Sequence, residues 1–206
     1  MNDEKLAHAR SEKYPARMSG DSATQITQTE RTWPRGETLS LDELSLMSVG
    51  ELEGVYRAGS VPYSLEALNG ELRGRVLTMV GPGGRAPLVD IIRAIEASDG
   101  FPWAGKTFTA SSPIEGTGIN RMRLPGGRQR NWFPFATSMA RSAVDDEPCI
   151  LLDYDNSHDA DADANPWLIR KIRDELREVA PKLFLGPALL NTPTRPRLMA
   201  YFALQS

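Results

Sequence analysis

Histidine and cysteine are scarce in this chain, whose 206 residues include only two histidines, His8 and His158, and one cysteine, Cys149. A single cysteine cannot form a disulfide within the chain, and two histidines leave little material for a zinc, haem or Cys/His nucleophile site. We therefore expect no metal and no cofactor. Such low cysteine usage is typical of a reducing compartment, which predicts a cytoplasmic protein.

Long apolar runs and an excess of basic charge are also lacking. No apolar stretch approaches the roughly 20 residues that a membrane-spanning helix needs. The opening residues, Met-Asn-Asp-Glu-Lys, do not follow the basic-then-apolar order of a signal peptide. The formal net charge of −3 provides no basic field for nucleic acid or anionic lipid. We expect neither a nucleic-acid nor a membrane partner, and the oligomeric state stays open.

Residues 1–38 show no apolar periodicity and carry few large apolar side chains, so they are predicted to form a disordered tail. Residues 39–206 are predicted to form one domain. Two S-x-x-E patterns, Ser40 with Glu43 and Ser48 with Glu51, are typical of capping boxes, in which hydroxyl and carboxylate satisfy free backbone N–H groups. They predict two short helices that form a collar at the start of the domain.

Beyond Gly70 the apolar period changes from helical to two, and a meander of short strands follows. Because neighbouring strands avoid open edges by closing on themselves, the pattern predicts a mainly β fold, an antiparallel β-barrel with a few flanking α-helices. A tight turn is expected at Gly126 and Gly127. Seven strands are predicted, at 71–80, 106–110, 117–124, 128–140, 148–155, 182–190 and 197–204.

Two further helices are predicted between these strands, one at 87–97 and one at 165–180. The second carries an amphipathic stripe that includes Ile172 and Leu176, and Pro181 ends it. It is expected to pack across the barrel, with Glu175 at the border of its apolar stripe and within reach of an arginine.

Two motifs match known site patterns only in part. The segment 81–86, Gly-Pro-Gly-Gly-Arg-Ala, fits a dinucleotide fingerprint, but no strand ending in an acidic residue follows the predicted helix. The acidic run from Asp155 to Asp163 resembles the start of a calcium loop, but Ala164 and Arg170 stand where that loop needs Gly and Glu. We interpret the first as a turn and the second as a solvated linker.

Several predicted strands combine apolar side chains with a single polar group, which is typical of a ligand cavity and also of a solvated outer face. We therefore predict binding of a small, largely apolar molecule that carries an acidic or carbonyl group. The residues predicted to hold that group are Arg75, Lys106, Arg121 and Tyr201.

A cofactor-independent enzyme, such as an isomerase, cyclase or hydratase of secondary metabolism, is the alternative. The buried strand that begins at Cys149 ends in Asp153, Tyr154 and Asp155. Burial changes the proton affinity of such groups, so Asp153 and Tyr154 are the candidate acid–base residues. The same three residues would also be expected at a strand end that turns into a polar loop and has no catalytic role.

Five blocks of the sequence carry a resemblance, which covers about residues 44–204. It resembles a family of bacterial and fungal proteins without an established activity, and in architecture it is similar to the calycin barrels, the lipocalin and fatty-acid-binding group. The resemblance implies a ligand-holding barrel and assigns no catalytic residue. Its blocks are Arg73-Gly-Arg-Val-Leu, Trp103-x-Gly-Lys-x-Phe, Ile150-Leu-Leu-Asp-Tyr-Asp, Asn165-Pro and, most specifically, the run from Ile172 to Gly186.

Overall fold

The structure, a computed structural model, describes residues 39–80, 103–155 and 165–206. Two α-helices, α1 (Leu41–Ser45) and α2 (Val49–Ala58), and two 3-10 turns, η1 (Leu65–Leu68) and η2 (Ile169–Lys171), accompany the strands. The strands are β1 (Gly70–Met79), β2 (Trp103–Ala110), β3 (Glu115–Arg123), β4 (Gln129–Arg141), β5 (Pro148–Asp153), β6 (Ile172–Ala180), β7 (Leu183–Leu190) and β8 (Arg197–Gln205).

Several sequence predictions lie outside the described residues. These are the tail at 1–38, the motif at 81–86, the helix at 87–97 and most of the acidic run. The domain boundary at residue 38 stays a prediction.

The eight strands form a closed antiparallel barrel in which each strand pairs with the next along the chain and β8 pairs with β1. The predicted fold class, a mainly β barrel with few helices, is thereby confirmed. The predicted tight turn is also confirmed: Gly126 and Gly127, between β3 and β4, have φ angles of 80° and 76°, which a residue with a side chain rarely adopts.

The predicted helix at 165–180 is wrong, because most of that stretch is β6. One 3-10 turn, Ile169–Lys171, precedes the strand. The spacing of four between Ile172 and Leu176 fits a helix, but residues four apart also share a face of a strand. Here both side chains face into the barrel. Since β6 pairs with both β5 and β7, the barrel would have two open edges without it.

The charged side chains of β6 resemble a solvated helix face, but in the structure Asp174, Glu175 and Arg177 are buried with partners. Glu175 lies on this strand rather than on a helix, and its carboxylate accepts hydrogen bonds from Arg173 at 2.7 Å and Tyr56 at 2.9 Å. Arg177 donates to both carboxylate oxygens of Asp145, at 2.8 and 2.7 Å. These contacts offset the loss of hydration, so tertiary structure overrides the helical pattern.

The helical collar is confirmed, with both predicted capping boxes formed. Leu44, Leu52 and Tyr56 of the collar pack against the outer face of β7 and β8. The inside of the barrel holds a second apolar cluster, to which Leu65 and Leu68 of η1 belong. Thus η1 closes one end of the barrel with apolar side chains, while the collar covers part of its outside.

Close contact between β6 and β7 depends on a glycine. A Cβ atom at Gly186 would clash with the backbone carbonyl oxygen of Glu175 on the neighbouring strand. Since backbone atoms of a closed barrel have little freedom to move apart, only glycine is accommodated here.

We predict that Gly186→Ala lowers the free energy of unfolding by about 3 kcal/mol or more, the upper end of the usual cost of overpacking. Gly54→Ala is the matched control, because a Cβ at this helical position meets nothing within 4 Å and alanine favours the helix by up to about 1 kcal/mol. Urea denaturation of both variants checks the prediction. Equal stability of the two variants would contradict the strand pairing described here.

Candidate ligand-binding site

A cavity of about 320 Å³ lies inside the barrel, at the end opposite η1. Its walls come from the end of β1 and the starts of β2, β6 and β8, and they are almost entirely apolar. Wall residues include Val76, Met79, Ile172, Met199 and Phe202. The volume falls at the lower end of the range for small-molecule sites.

Small side chains on two neighbouring strands leave this space free. Ala188 of β7 and Ala200 of β8 stand opposite each other in the register, and both line the cavity. In the other half of the barrel the inner positions carry large side chains such as Phe108, Phe135 and Phe184, which fill it. The barrel is therefore packed solid at one end and hollow at the other.

A strained bulge in β4 shapes the rim of the cavity. Phe133 has a φ angle of 56°, unusual for a bulky residue, and the register with β3 shifts beside it. Trp132 and Phe133 both line the cavity, although neighbours in a regular strand face opposite sides. The carbonyl oxygen of Phe133 accepts a hydrogen bond from Asn120 at 3.1 Å, which holds the bulge in place.

Five side chains form a polar floor between the hollow and packed halves: Trp103, Lys106, Asn120, Tyr154 and Asp174. Lys106 is at its centre and is only 2% exposed. Its Nζ donates to Asn120 Oδ1 at 2.8 Å, to the Tyr154 hydroxyl at 2.6 Å and to Asp174 Oδ2 at 2.9 Å. The ammonium therefore uses all three of its protons within the floor.

The other members of the polar floor are tied together in the same way. The Tyr154 hydroxyl donates to Asp174 Oδ2 at 2.8 Å. The Asn120 amide donates to the Tyr154 hydroxyl at 3.2 Å, and the indole N–H of Trp103 donates to Asn120 Oδ1 at 3.0 Å. A network with so few free groups fixes the rotamer of every member.

Aromatic rings surround the ammonium of Lys106. Its Nζ lies 5.0–5.5 Å from the ring centroids of Trp103, Phe135, Tyr154 and Phe202, a range in which a cation is attracted to a π face. Burial lowers the pKa of Lys106, and the Asp174 carboxylate opposes that shift. Burial and the same carboxylate raise the pKa of Tyr154 well above its usual value, so its hydroxyl stays protonated.

Of the predicted site residues, the structure brings Lys106 and Tyr154 together in the cavity. Arg75 and Arg121 lie outside the barrel. Arg75 donates to Asp42 of α1 at 2.6 Å. Arg121 donates to Glu71 at 2.7 Å, so both guanidinium groups have structural ion-pair partners.

The two remaining predicted site residues also lie outside the barrel. Tyr201 is buried under the collar, in the cluster with Leu52 and Tyr56. Asp153 is half-buried on the outer face of β5, where its Oδ1 accepts the backbone N–H of Asp155 at 2.9 Å. Alternation along β5 accounts for the contrast, because Tyr154 shares the inner face with Ile150 and Leu152.

Sequence reasoning missed Asp174 and Asn120. Asp174 falls in the stretch predicted as a helix. Because charged residues, Arg173 and Glu175, stand on both sides of it, the sequence indicates that Asp174 faces solvent. Reading that stretch with period two would have placed Asp174 on the face of Ile172 and Leu176. A lone charge on an apolar strand face is the signal that could have identified it.

Comparisons with known proteins identify no relative that assigns a function. No family model and no curated protein match this chain. The crystal structure of a protein from Thermomonospora curvata is similar, with a TM-score of 0.46 and 14% sequence identity, over 77% of this chain and 87% of that chain. Similarity at this level identifies neither a family nor a ligand.

Two further properties concern the described part of the chain alone. None of its helices is long and apolar enough to span a membrane. None of its His, Cys, Asp and Glu side chains form a group of three or more that could hold a metal ion.

Proposed function

We propose that this protein binds a small, largely apolar molecule inside the barrel, with the polar group of that molecule against the polar floor. The observation that carries the proposal is the contrast between the two halves of the interior. Large side chains fill one half, whereas Ala188 and Ala200 leave a hollow above a buried ion pair in the other. Proteins seldom leave a large apolar space next to a charged pair unless something occupies it.

The architecture also supports this proposal. An antiparallel barrel of eight strands is just wide enough to hold one small ligand, as in lipocalins. A calycin-like architecture is part of the proposal, and the closed meander of eight antiparallel strands supports it. One end is closed by η1, and the cavity lies at the other end, so a guest would have the strand walls around it and the polar floor beneath it.

A neutral fluorescent probe tests the proposal. N-phenyl-1-naphthylamine fluoresces strongly in apolar surroundings, and we expect it to bind with a stoichiometry near one per chain. Ala188→Phe fills the cavity from the β7 wall, and it should weaken probe binding by about tenfold or more, since loss of a well-packed apolar contact is worth at least that much.

Ala67→Phe is the matched control, because Ala67 lies on the exposed face of η1. It should leave probe binding unchanged. Thermal melting of both variants shows whether the barrel stays folded. Absence of saturable probe binding, or equal binding by the two variants, would refute the proposal.

A second candidate, acid–base catalysis on a bound substrate, is supported by the position of Tyr154. This residue faces the cavity and Asp153 does not, so catalysis would depend on Tyr154. Because its pKa is raised, Tyr154 would act as a proton donor rather than as a base, and its hydroxyl would turn from Asp174 Oδ2 to the substrate.

Native mass spectrometry of protein purified from its own host would identify a molecule that co-purifies in the cavity. If that molecule is a substrate, wild-type protein converts it and Tyr154→Phe binds it without turnover. Unchanged conversion by Tyr154→Phe would exclude this catalytic role. No conversion by the wild-type protein would leave binding as the function.

A further inference from the structure

The hydrogen bonds of the polar floor determine which polar group a ligand can present to it. This step rests on the proposed function, because it specifies the ligand class of the same cavity. Every N–H and O–H proton of the floor side chains already has an acceptor. Lys106 uses three, Tyr154 one, the Asn120 amide two and the Trp103 indole one.

The acceptors of the floor are used unevenly. Asn120 Oδ1 accepts two hydrogen bonds, from Trp103 and Lys106, and the Tyr154 hydroxyl also accepts two. Both hydrogen bonds to the Asp174 carboxylate fall on Oδ2. Within the described residues, Oδ1 of Asp174 receives no hydrogen bond.

Asp174 Oδ1 also keeps contact with the cavity. The only side-chain polar atoms of the described residues that are fully buried without a partner are Arg121 Nε and Asn165 Oδ1. The unpaired Oδ1 of Asp174 is therefore not fully enclosed by protein, although the residue as a whole is 4% exposed. Since Asp174 lines the cavity, the accessible surface of Oδ1 faces the ligand space.

We infer that the cavity selects neutral, apolar molecules that carry one hydroxyl group, an alcohol or a phenol, whose proton is donated to Asp174 Oδ1. The floor offers this acceptor and no free donor. A carboxylate has no proton to give and would place a second negative charge beside Asp174 in an apolar site. This ligand class differs from the acidic or carbonyl group expected from the sequence, because that expectation counted cationic residues whose protons are already used.

Three naphthalene derivatives of similar size test the inference: 2-naphthol, 2-methoxynaphthalene and 2-naphthoate. Each is titrated against the complex of the protein with N-phenyl-1-naphthylamine at neutral pH, and displacement of the probe gives its affinity. We expect 2-naphthol to bind about tenfold or more tightly than 2-methoxynaphthalene, since a hydrogen bond to a charged acceptor is worth at least that ratio. The carboxylate should bind most weakly of the three.

A double variant shows whether the floor causes the preference. Lys106→Met alone would leave the Asp174 charge buried without a partner and is expected to destabilise the barrel. Lys106→Met with Asp174→Leu removes both charges, and replacing a buried ion pair by apolar residues of similar size is often tolerated. In this double variant the ratio of affinities for 2-naphthol and 2-methoxynaphthalene should fall several-fold, because the charged acceptor is gone and only neutral acceptors, Asn120 Oδ1 and the Tyr154 hydroxyl, can take the naphthol proton.

Arg75→Gln is the control, because Arg75 lies outside the barrel and should leave the ratio unchanged. Circular dichroism confirms that each variant is folded. If the double variant does not fold, the ratio measured on wild-type protein still decides the inference.

The outcomes separate the two proposals. Equal affinities for 2-naphthol and its methyl ether in wild-type protein, or tightest binding of 2-naphthoate, would overturn the inference while the proposed function stands. An undiminished preference for 2-naphthol in a folded double variant would also overturn it, since the preference would then come from a group other than Asp174. Failure of the probe and of all three compounds to bind would overturn the proposed function as well.

Discussion

The ion pair between Lys106 and Asp174 is the constraint on which the interior of this barrel depends. Removing two charges from water costs several kcal/mol for each ion, and that cost is offset only when the charges meet and their remaining hydrogen-bonding groups are satisfied. Tyr154, Asn120 and Trp103 supply those partners, and four aromatic rings surround the ammonium. The polar floor is thus a rigid layer that separates the packed half of the barrel from the hollow half.

Charged side chains on the outer face of the barrel form structural ion pairs, whereas the pair inside the barrel borders the cavity. Arg75, Arg173 and Arg177 each hold a carboxylate on the outer face. The Arg75 contact attaches the collar to β1, the Arg177 contact attaches the β4–β5 loop to β6, and Arg173 holds Glu175 of its own strand. Their guanidinium groups are committed to structure, and none lines the cavity. Among the described side chains that line the cavity, one acceptor oxygen is unpaired, Asp174 Oδ1, and this oxygen gives the cavity its chemical character.

Much of the fold could be predicted from the sequence, because local patterns govern most of its elements. The capping serines Ser40 and Ser48 and the glycines of the β3–β4 turn act through neighbouring residues, and period-two alternation marks seven of the eight strands. The eighth, β6, could not be recognised in this way. Its charges are satisfied by residues distant in the chain, such as Asp145 for Arg177 and Lys106 for Asp174, and no local pattern records such pairing.

The candidate site was predictable only where alternation decided a residue's face. Alternation along β5 predicts that Tyr154 and Asp153 lie on opposite faces of the sheet, and in the structure Tyr154 faces the inside of the barrel. Register shifts defeat the same reasoning elsewhere. The irregularity between Val76 and Thr78 in β1 lets Val76 and Met79 both line the cavity, although the two have opposite parity. Asp174 remained hidden because its strand was assigned to a helix.

The most direct test of this account is a crystal structure of the protein grown with N-phenyl-1-naphthylamine. We expect one probe molecule inside the barrel, between the alanine pair of β7 and β8 and the polar floor, with Lys106 still bonded to Asp174. Electron density for the probe only on the outer surface, or wall side chains that fill the hollow in its absence, would contradict it.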